Sequence, residues 1–385
     1  MIPIARPTLG DEEAEAAGRV IRSGWITQGP EVAAFELEFA AFVGAPHACA
    51  VANCTVALHL ALLAAGVGPG DEVVTVSHSF IATANTVRYT GAVPVFVDID
   101  PATFNIRPDL VTAALTPRTR AILCVHQLGM PCDVAALAAL ARERGVVLIE
   151  DAACAIGSEI EIDGAWARIG QPHGDIACFS FHPRKLLSTG DGGMLTTRRA
   201  EWDAQFRLWR QHGMSVPDRA RHESASVIFE SYDTLGFNYR LTDIQAAVGR
   251  QQLARMPGIV ARRREQAARY GALLATLETG GGVTTPHEPS WARTNWQSYC
   301  VTLDDRYDQR RVMQSMLDAG VSTRRGVMCA HREPAYPAGT WRAGSDLSAG
   351  ERAQDHGLIL PLFDDLTGDD QACVADALRR ALEAH

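Results

Sequence analysis

The chain has 385 residues, 47% hydrophobic and 21% charged, which is enough apolar content to bury a large core and enough length for two domains. Its formal net charge of -9 argues against the concentrated basic face that nucleic-acid binding requires. Nine cysteines fall singly, with no C-x-x-C pair and no Cys/His cluster at zinc spacing. No metal and no disulfide framework are therefore expected, and a reduced, cytoplasmic setting fits. The start, Met1-Ile2-Pro3-Ile4-Ala5-Arg6, lacks the charged-then-apolar order of a signal peptide. The most apolar stretch, Ala48 to Val67, is interrupted by Asn53, Thr55 and His59 and predicts a strand and a helix, with no association with a membrane.

From about residue 47 to about 200, short β-branched runs alternate with helical patterns. Strands are predicted at Val73 to Val76, Val93 to Val97, Ala121 to Val125, Val146 to Ile149, Ile176 to Phe181 and Met194 to Thr197, with helices at Thr55 to Ala65, Ile81 to Tyr89 and Val134 to Arg144. Such alternation predicts an α/β fold of three layers, a mostly parallel sheet with helices on both faces. In such sheets ligands collect at the carboxyl ends of the strands. Past Arg240 the pattern changes. Thr242 to Met256 and Ile259 to Leu277 predict two helices broken near Pro257-Gly258, with the run Arg262-Arg263-Arg264 on a solvated face. Strand-like Ser298 to Leu303, helical Arg310 to Ala319, a Pro/Gly-rich stretch from Pro334 to Gly344 and helical Asp369 to Glu383 predict a smaller α+β domain. The expected division is a large domain over 1–250 and a small one over 251–385.

The 36 basic residues comprise 35 arginines and one lysine, Lys185, within Phe179-Ser180-Phe181-His182-Pro183-Arg184-Lys185-Leu186-Leu187-Ser188-Thr189-Gly190-Asp191-Gly192-Gly193. Arginine stays protonated and serves ion pairs and anions, whereas an amine can lose its proton and attack a carbonyl. A solvated surface lysine is the bland reading. A chain that uses arginine everywhere else, however, points to chemistry at this one position. The strand Val146 to Ile149 leads into Glu150-Asp151-Ala152-Ala153. A carboxylate there is either a hydrogen-bonded structural Asp or the partner of Lys185. An imine conjugated to a protonated pyridine ring is a good electron sink, and a buried carboxylate opposite the ring nitrogen keeps that proton in place. Pyridoxal phosphate needs that pair. Its phosphate needs a cradle, and Asn53-Cys54-Thr55-Val56-Ala57 lies at a strand-to-helix junction where amides and the helix end favour an anion. Ser180 adds a hydroxyl, and Phe80 stands where it can cover a ring. The ordinary alternatives are capping for Thr55, a strand hydroxyl for Ser180 and core packing for Phe80.

Together these segments resemble the DegT/StrS-type sugar aminotransferases, fold-type I pyridoxal-phosphate enzymes related to aspartate aminotransferase. Further segments carry the resemblance: Ser23-Gly24-Trp25-Ile26-Thr27-Gln28-Gly29-Pro30, Ala57-Leu58-His59-Leu60-Ala61-Leu62, Gly68-Pro69-Gly70-Asp71-Glu72-Val73, Ala82-Thr83-Ala84-Asn85, Pro94-Val95-Phe96-Val97-Asp98-Ile99-Asp100 and Gly236-Phe237-Asn238-Tyr239-Arg240. Their order and spacing span nearly the whole chain. The resemblance implies Lys185 as the residue that carries the cofactor as an imine, Asp151 at the pyridine nitrogen, Phe80 stacked on the ring, and Thr55, Val56 and Ser180 around the phosphate. It implies that Asn238 reaches the phosphate of the neighbouring subunit, so that the working unit is a homodimer. Two positions depart from the commonest pattern. Cys54 stands where Gly is frequent, and Cys154 stands where a Gln or His usually lies against the cofactor. Related sugar dehydratases carry His in place of the lysine, so Lys185 argues for transamination.

The implied reaction is ping-pong transfer of an amino group from glutamate or glutamine to a keto sugar on a nucleoside diphosphate. The Thr189 to Gly193 continuation is closer to enzymes that aminate C4 than to those that aminate C3. A keto cyclitol or other carbocycle is the alternative acceptor, and a non-catalytic cofactor-binding regulator is the alternative from another class. An acidic donor and a diphosphate both call for guanidinium groups, for which Arg240, Arg324 and Arg325 are candidates, with His331 nearby in sequence.

Overall fold

Short runs of β-branched and aliphatic residues, bounded by Gly, Pro and polar turns, form the strands of a computed structural model that describes residues 1–216, 221–222 and 224–384. In chain order the strands are β1 (His47–Val51), β2 (Glu72–Val76), β3 (Val93–Val97), β4 (Thr119–Val125), β5 (Val147–Asp151), β6 (Glu159–Ile162), β7 (Ala165–Arg168) and β8 (Ile176–Ser180). They continue with β9 (Gly193–Thr197), β10 (Val283–Thr284), β11 (Ala292–Arg293), β12 (Tyr299–Leu303), β13 (Arg324–Arg325), β14 (Arg342–Ala343) and β15 (Gly357–Leu360). The first six helices are α1 (Asp11–Ser23), α2 (Pro30–Val43), α3 (Cys54–Ala64), α4 (Ile81–Tyr89), α5 (Pro108–Ala114) and α6 (Val134–Arg144). After them come α7 (Ala200–Trp209), α8 (Asp243–Thr279), α9 (Gln309–Asp318), α10 (Ser348–His356) and α11 (Gly368–Glu383).

The main sheet has eight strands in the order β1-β9-β8-β5-β4-β2-β3-β14. Its pairings are parallel except those of β9, which runs antiparallel to both neighbours. Alternate residues feed two cores, because successive side chains of a strand point to opposite faces. Ala48, Ala50, Val74, Ile122 and Cys124 join the core beneath α2 and α6. Cys49, Val51, Val73, Ala121 and Leu123 join the core beneath α3 and α7. Apolar residues on both faces are what a parallel sheet covered on both sides demands. A second, antiparallel sheet, β10-β12-β15-β13, lies in the C-terminal part, and β11-β6-β7 form a third. Among the described residues no helix is long and apolar enough to cross a membrane, and no cluster of His, Cys, Asp and Glu could hold a metal ion.

Two sequence expectations need correction. The helices predicted on either side of Pro257 are one 37-residue helix, α8. Pro257 removes a single amide donor, and packing on both sides holds the turns together: Met256, Ile259 and Val260 in the first core, Ala267, Tyr270 and Leu274 in a second. Residue 250 therefore lies inside a continuous helix. Arg263, expected on a solvated face, is 5% exposed and donates to the Leu362 carbonyl. Its face of α8 is the one that meets the C-terminal sheet.

The start of α8 also caps α2. Asp243 Oδ1 accepts from the amides of Gly29 (2.7 Å) and Val32 (3.0 Å), and Oδ2 from Glu31 (3.2 Å). These are donors that the first turn of α2 cannot satisfy internally. Replacing Asp243 with Ala leaves them buried without an acceptor. The expected loss is about 2 kcal/mol, read by thermal or urea denaturation, with Asp243→Asn recovering part of it. A loss of only a few tenths of a kcal/mol contradicts this role.

Candidate active site

Because β1, β2, β4, β5 and β8 run in one direction, their carboxyl ends share one edge of the sheet. Asn53 follows β1, Phe80 follows β2, Asp151 ends β5, and Ser180 ends β8 just before Lys185. The last strand is firmly anchored. Phe179 and Phe181 pack on Phe39 with ring centroids 5.0 and 5.7 Å away, and Phe35 lies 5.4 Å from Phe181. Such pairs contribute about 1 kcal/mol each beyond the area they bury. The chain then turns sharply, with the Lys185 amide donating to the His182 carbonyl at 2.8 Å. The Lys185 Nζ comes to 3.0 Å from Cys154 Sγ.

Asp151 is 5% exposed. Its Oδ2 accepts from the Thr83 hydroxyl (2.8 Å) and its Oδ1 from the Ala153 amide (3.2 Å), which leaves acceptor capacity on both oxygens. Burial pushes its carboxyl above the ordinary range, offset in part by those two hydrogen bonds and by the Lys185 charge. Burial also works to lower the Lys185 ammonium. Cys154 and Asp151 outweigh it and hold that group above the usual lysine range.

The turn after β1 is a helix N-terminus. The Asn53 side chain caps α3 by accepting from the Val56 amide at 3.0 Å. Among the described residues the amides of Cys54 and Thr55 have no hydrogen-bond acceptor, and as first-turn donors they face outward from the positive end of α3. Gly193 pairs with both Val51 and Ser180, and a Cβ on it would lie 2.5 Å from the Asn53 carbonyl carbon. Only glycine there lets β9 bring Ser180 this close to the turn. Cys54 directs its thiol at the Cys178 carbonyl, 3.6 Å away. Phe80 is 60% exposed and precedes α4, whose first turn supplies Thr83.

Segment 238–240 runs beside the same turn: the Ala52 amide donates to the Tyr239 carbonyl at 2.8 Å, and Arg240 bridges Val51. Asn238 bridges Gln211 and is exposed. The remaining candidates are not gathered in the same way. Arg324 and Arg325 are exposed on β13, and Arg325 lies 3.6 Å from Glu333. His331 has both ring nitrogens engaged. The Ser77 hydroxyl lies 2.6 Å from Nδ1 and accepts from the His331 amide, and Nε2 faces Glu351 at 2.8 Å.

Other residues of the site give no local sequence signal. Ser79 continues a hydrogen-bond chain from Thr83 (2.8 Å), and its amide donates to the Met328 carbonyl. Asn295 Nδ2 donates to the carbonyls of Cys154 and Ile156, both at 2.8 Å, and Gln297 Nε2 donates to Arg184 at 2.5 Å. One turn thus clamps the loop of Cys154 and the loop of Lys185. Of these residues only Thr83 lies in a segment that carried the family resemblance.

The model of the DegT/DnrJ/EryC1/StrS aminotransferase family matches residues 7–379. The chain belongs to this family. This aminotransferase is 37% identical over 382 residues to the spore coat polysaccharide biosynthesis protein SpsC of Bacillus subtilis (strain 168), covering 98% of the chain and 96% of SpsC. Among solved structures it superposes on the aminotransferase TlmJ from Streptoalloteichus hindustanus with a TM-score of 0.90 at 37% identity, over 100% of this chain and 99% of TlmJ. It superposes on S. venezuelae DesV, solved in complex with a ketimine intermediate, with a TM-score of 0.88 at 35% identity, over 99% and 98% of the two chains. The cofactor of the family is pyridoxal phosphate. The residues present fit it, since two outward amides at a helix N-terminus suit a phosphate and a buried carboxylate with spare acceptor capacity suits a protonated ring nitrogen.

A raised carboxyl has a consequence for stability. The protonated form of Asp151 is favoured in the fold, so its contribution is fully present below the ordinary carboxylate range and is lost as pH rises through the raised value. Above that raised value the cofactor-free protein carries an unfavourable charge. Asp151→Asn is expected to raise the melting temperature of the cofactor-free protein at neutral pH, with the gap narrowing as pH falls toward about 4. A variant that melts below wild type at neutral pH overturns this reading.

Proposed function

We propose that this aminotransferase moves an amino group from glutamate or glutamine to a keto sugar, a nucleotide-linked 4-keto or 3-keto deoxysugar. The observation that carries the reading is that the chain's only side-chain amine stands at the strand-end edge with a buried carboxylate and a helix N-terminus. The sugar acceptor is supported by the sequence resemblance and by SpsC, which is named for polysaccharide biosynthesis.

Lys185 is assigned the imine bond to the cofactor, Asp151 the ring nitrogen, Phe80 the ring face, Cys154 the ring's surroundings, and Cys54, Thr55, Val56 and Ser180 the phosphate. When bound, pyridoxal phosphate supplies an electron-poor ring that takes up the electron pair of a broken C–H bond. Lys185 Nζ, freed by the donor amine, takes a proton from the donor α-carbon and returns it on the acceptor side. For that step the amine must be unprotonated. The anionic charge of Asp151 is one of the causes holding the Lys185 ammonium high, and a protonated ring nitrogen against Asp151 cancels it. Arg240, beside the cradle turn, is the preferred guanidinium for a donor carboxylate or a diphosphate.

The working unit is proposed as a homodimer in which the partner's Asn238 completes the phosphate site. Exposed apolar residues support it, Phe80 and Tyr89 in one segment and Val227, Phe229 and Leu235 in another, since large apolar side chains left in water are often covered at an interface. The large and small domains are proposed to divide within α8, where its buried residues change from the first core to the second between Val260 and Ala267.

The test is spectroscopic. Glutamate or glutamine should bleach the visible absorbance of the yellow holoprotein, and keto sugars offered afterwards should restore it. Restoration by keto cyclitols and by no keto sugar overturns the acceptor assignment. Lys185→Ala and Lys185→Arg should both lose turnover while keeping the fold. Mixed Lys185→Ala and Asn238→Ala proteins should regain activity that neither has alone, because one of the two shared sites is then intact. Failure of that complementation in a mixed dimer removes the partner's Asn238 from the site.

A further inference from the structure

Cys154 is the residue of the site with no assigned chemistry beyond its place beside the ring. Its thiol lies 3.0 Å from Lys185 Nζ. The pair is held by construction: Asn295 fixes the carbonyls of Cys154 and Ile156, Gln297 fixes the carbonyl of Arg184, and the intervening Trp296 adopts a left-handed φ of 52°. The loops bearing sulfur and nitrogen are thus pinned by a single turn that is itself buried, with Asn295 at 0% and Gln297 at 7% exposure. Cys154 is partly accessible. The other nearby thiol, Cys54, is buried and turned toward the Cys178 carbonyl.

We propose that Cys154 and Lys185 form an oxidative modification site in the cofactor-free enzyme, where a peroxide joins them by a sulfur–nitrogen bond that closes the site to pyridoxal phosphate. This deepens the functional reading above and rests on its assignment of Lys185 to the cofactor. The sulfur of Cys154 attacks one peroxide oxygen, the O–O bond breaks, and the second oxygen leaves as water, so that sulfur loses two electrons and becomes a sulfenic acid. Oxidation of the thiol removes the foremost group that holds the Lys185 ammonium up; Nζ in its unprotonated form then attacks that sulfur, the S–O bond breaks, and a second water leaves with a proton from nitrogen. The net change is the loss of two hydrogens from the protein and the reduction of one peroxide to two waters. Two equivalents of a thiol reverse it, restoring thiol and amine as the reductant becomes a disulfide. Cofactor bound to Lys185 occupies the nitrogen and protects the pair.

The single lysine provides a readout independent of activity. Lysyl endopeptidase can cut the chain only after Lys185, giving two fragments, and an amine bonded to sulfur blocks that cut. Cofactor-free and cofactor-bound protein are each treated with hydrogen peroxide, quenched, stripped of cofactor with hydroxylamine, denatured without thiol and digested. The expected result is loss of cleavage only in the sample oxidised without cofactor. A two-hydrogen mass decrease should appear on the uncut chain, and cleavage should return after dithiothreitol. Cys154→Ser should stay fully cleavable throughout. Complete cutting of the oxidised cofactor-free wild type, or protection that persists in Cys154→Ser, overturns the proposal. Borohydride reduction of untreated holoprotein tests the parent reading separately, because it blocks the same cut through the cofactor whatever Cys154 does.

Discussion

A carboxylate removed from water, with no guanidinium hydrogen-bonded to it among the described residues, is the constraint on which the site depends. Asp151 closes β5 at 5% exposure and is held by one hydroxyl and one amide. Left alone in a low-dielectric place, such a group is costly, and it keeps its charge most readily when a cationic group is supplied from outside the chain. The Thr83 hydroxyl keeps it oriented, and Thr83 is in turn held by Ser79, whose amide answers to Met328. The geometry of one oxygen pair is thereby set by residues from α4, from the end of β2 and from the C-terminal part. The chain tolerates a local instability where its chemistry is performed, a pattern familiar from functional sites in which stability and activity pull apart.

The sheet makes this arrangement possible. Parallel strands deliver their carboxyl ends to one edge, so four short segments between residues 53 and 185 meet there although they are far apart in sequence. Gly193 shows how tight the delivery is, since its position leaves no space for a side chain against the Asn53 carbonyl. The aromatic packing of Phe35, Phe39, Phe179 and Phe181 stiffens the strand leading to Lys185. A long, flexible amine is thereby presented from a rigid base.

Much of this can be read from the residues themselves. The alternation of β-branched runs with amphipathic stretches gives the strands of the main sheet other than β14, and the helices Val134–Arg144 and Ile81–Tyr89, because periodicity is local information. Lys185 stands out by being alone among arginines, and Asp151 by ending an apolar run. What escapes are features decided across space. Pro257 argues for a break that packing on both flanks of α8 overrides. Arg263 looks solvated in a run of three arginines, yet burial follows from which face of the helix meets β15 and the Leu362 carbonyl. Asn295 and Gln297 act through backbone carbonyls more than a hundred positions away, and no spacing rule encodes such a contact. His331 looks in sequence like a free substrate contact. Ser77 and Glu351, distant in the chain, engage both of its nitrogens.

The short strand Arg342–Ala343 leaves the C-terminal part and pairs in parallel with β3 at the edge of the main sheet, while α8 runs through both cores. A body attached at one point can swing like a door on a single pin. Attached at two separated points, it is confined to small sliding or rocking about the line that joins them. The C-terminal part of this enzyme is therefore tied to the main sheet at its edge as well as through α8, with little freedom to swing.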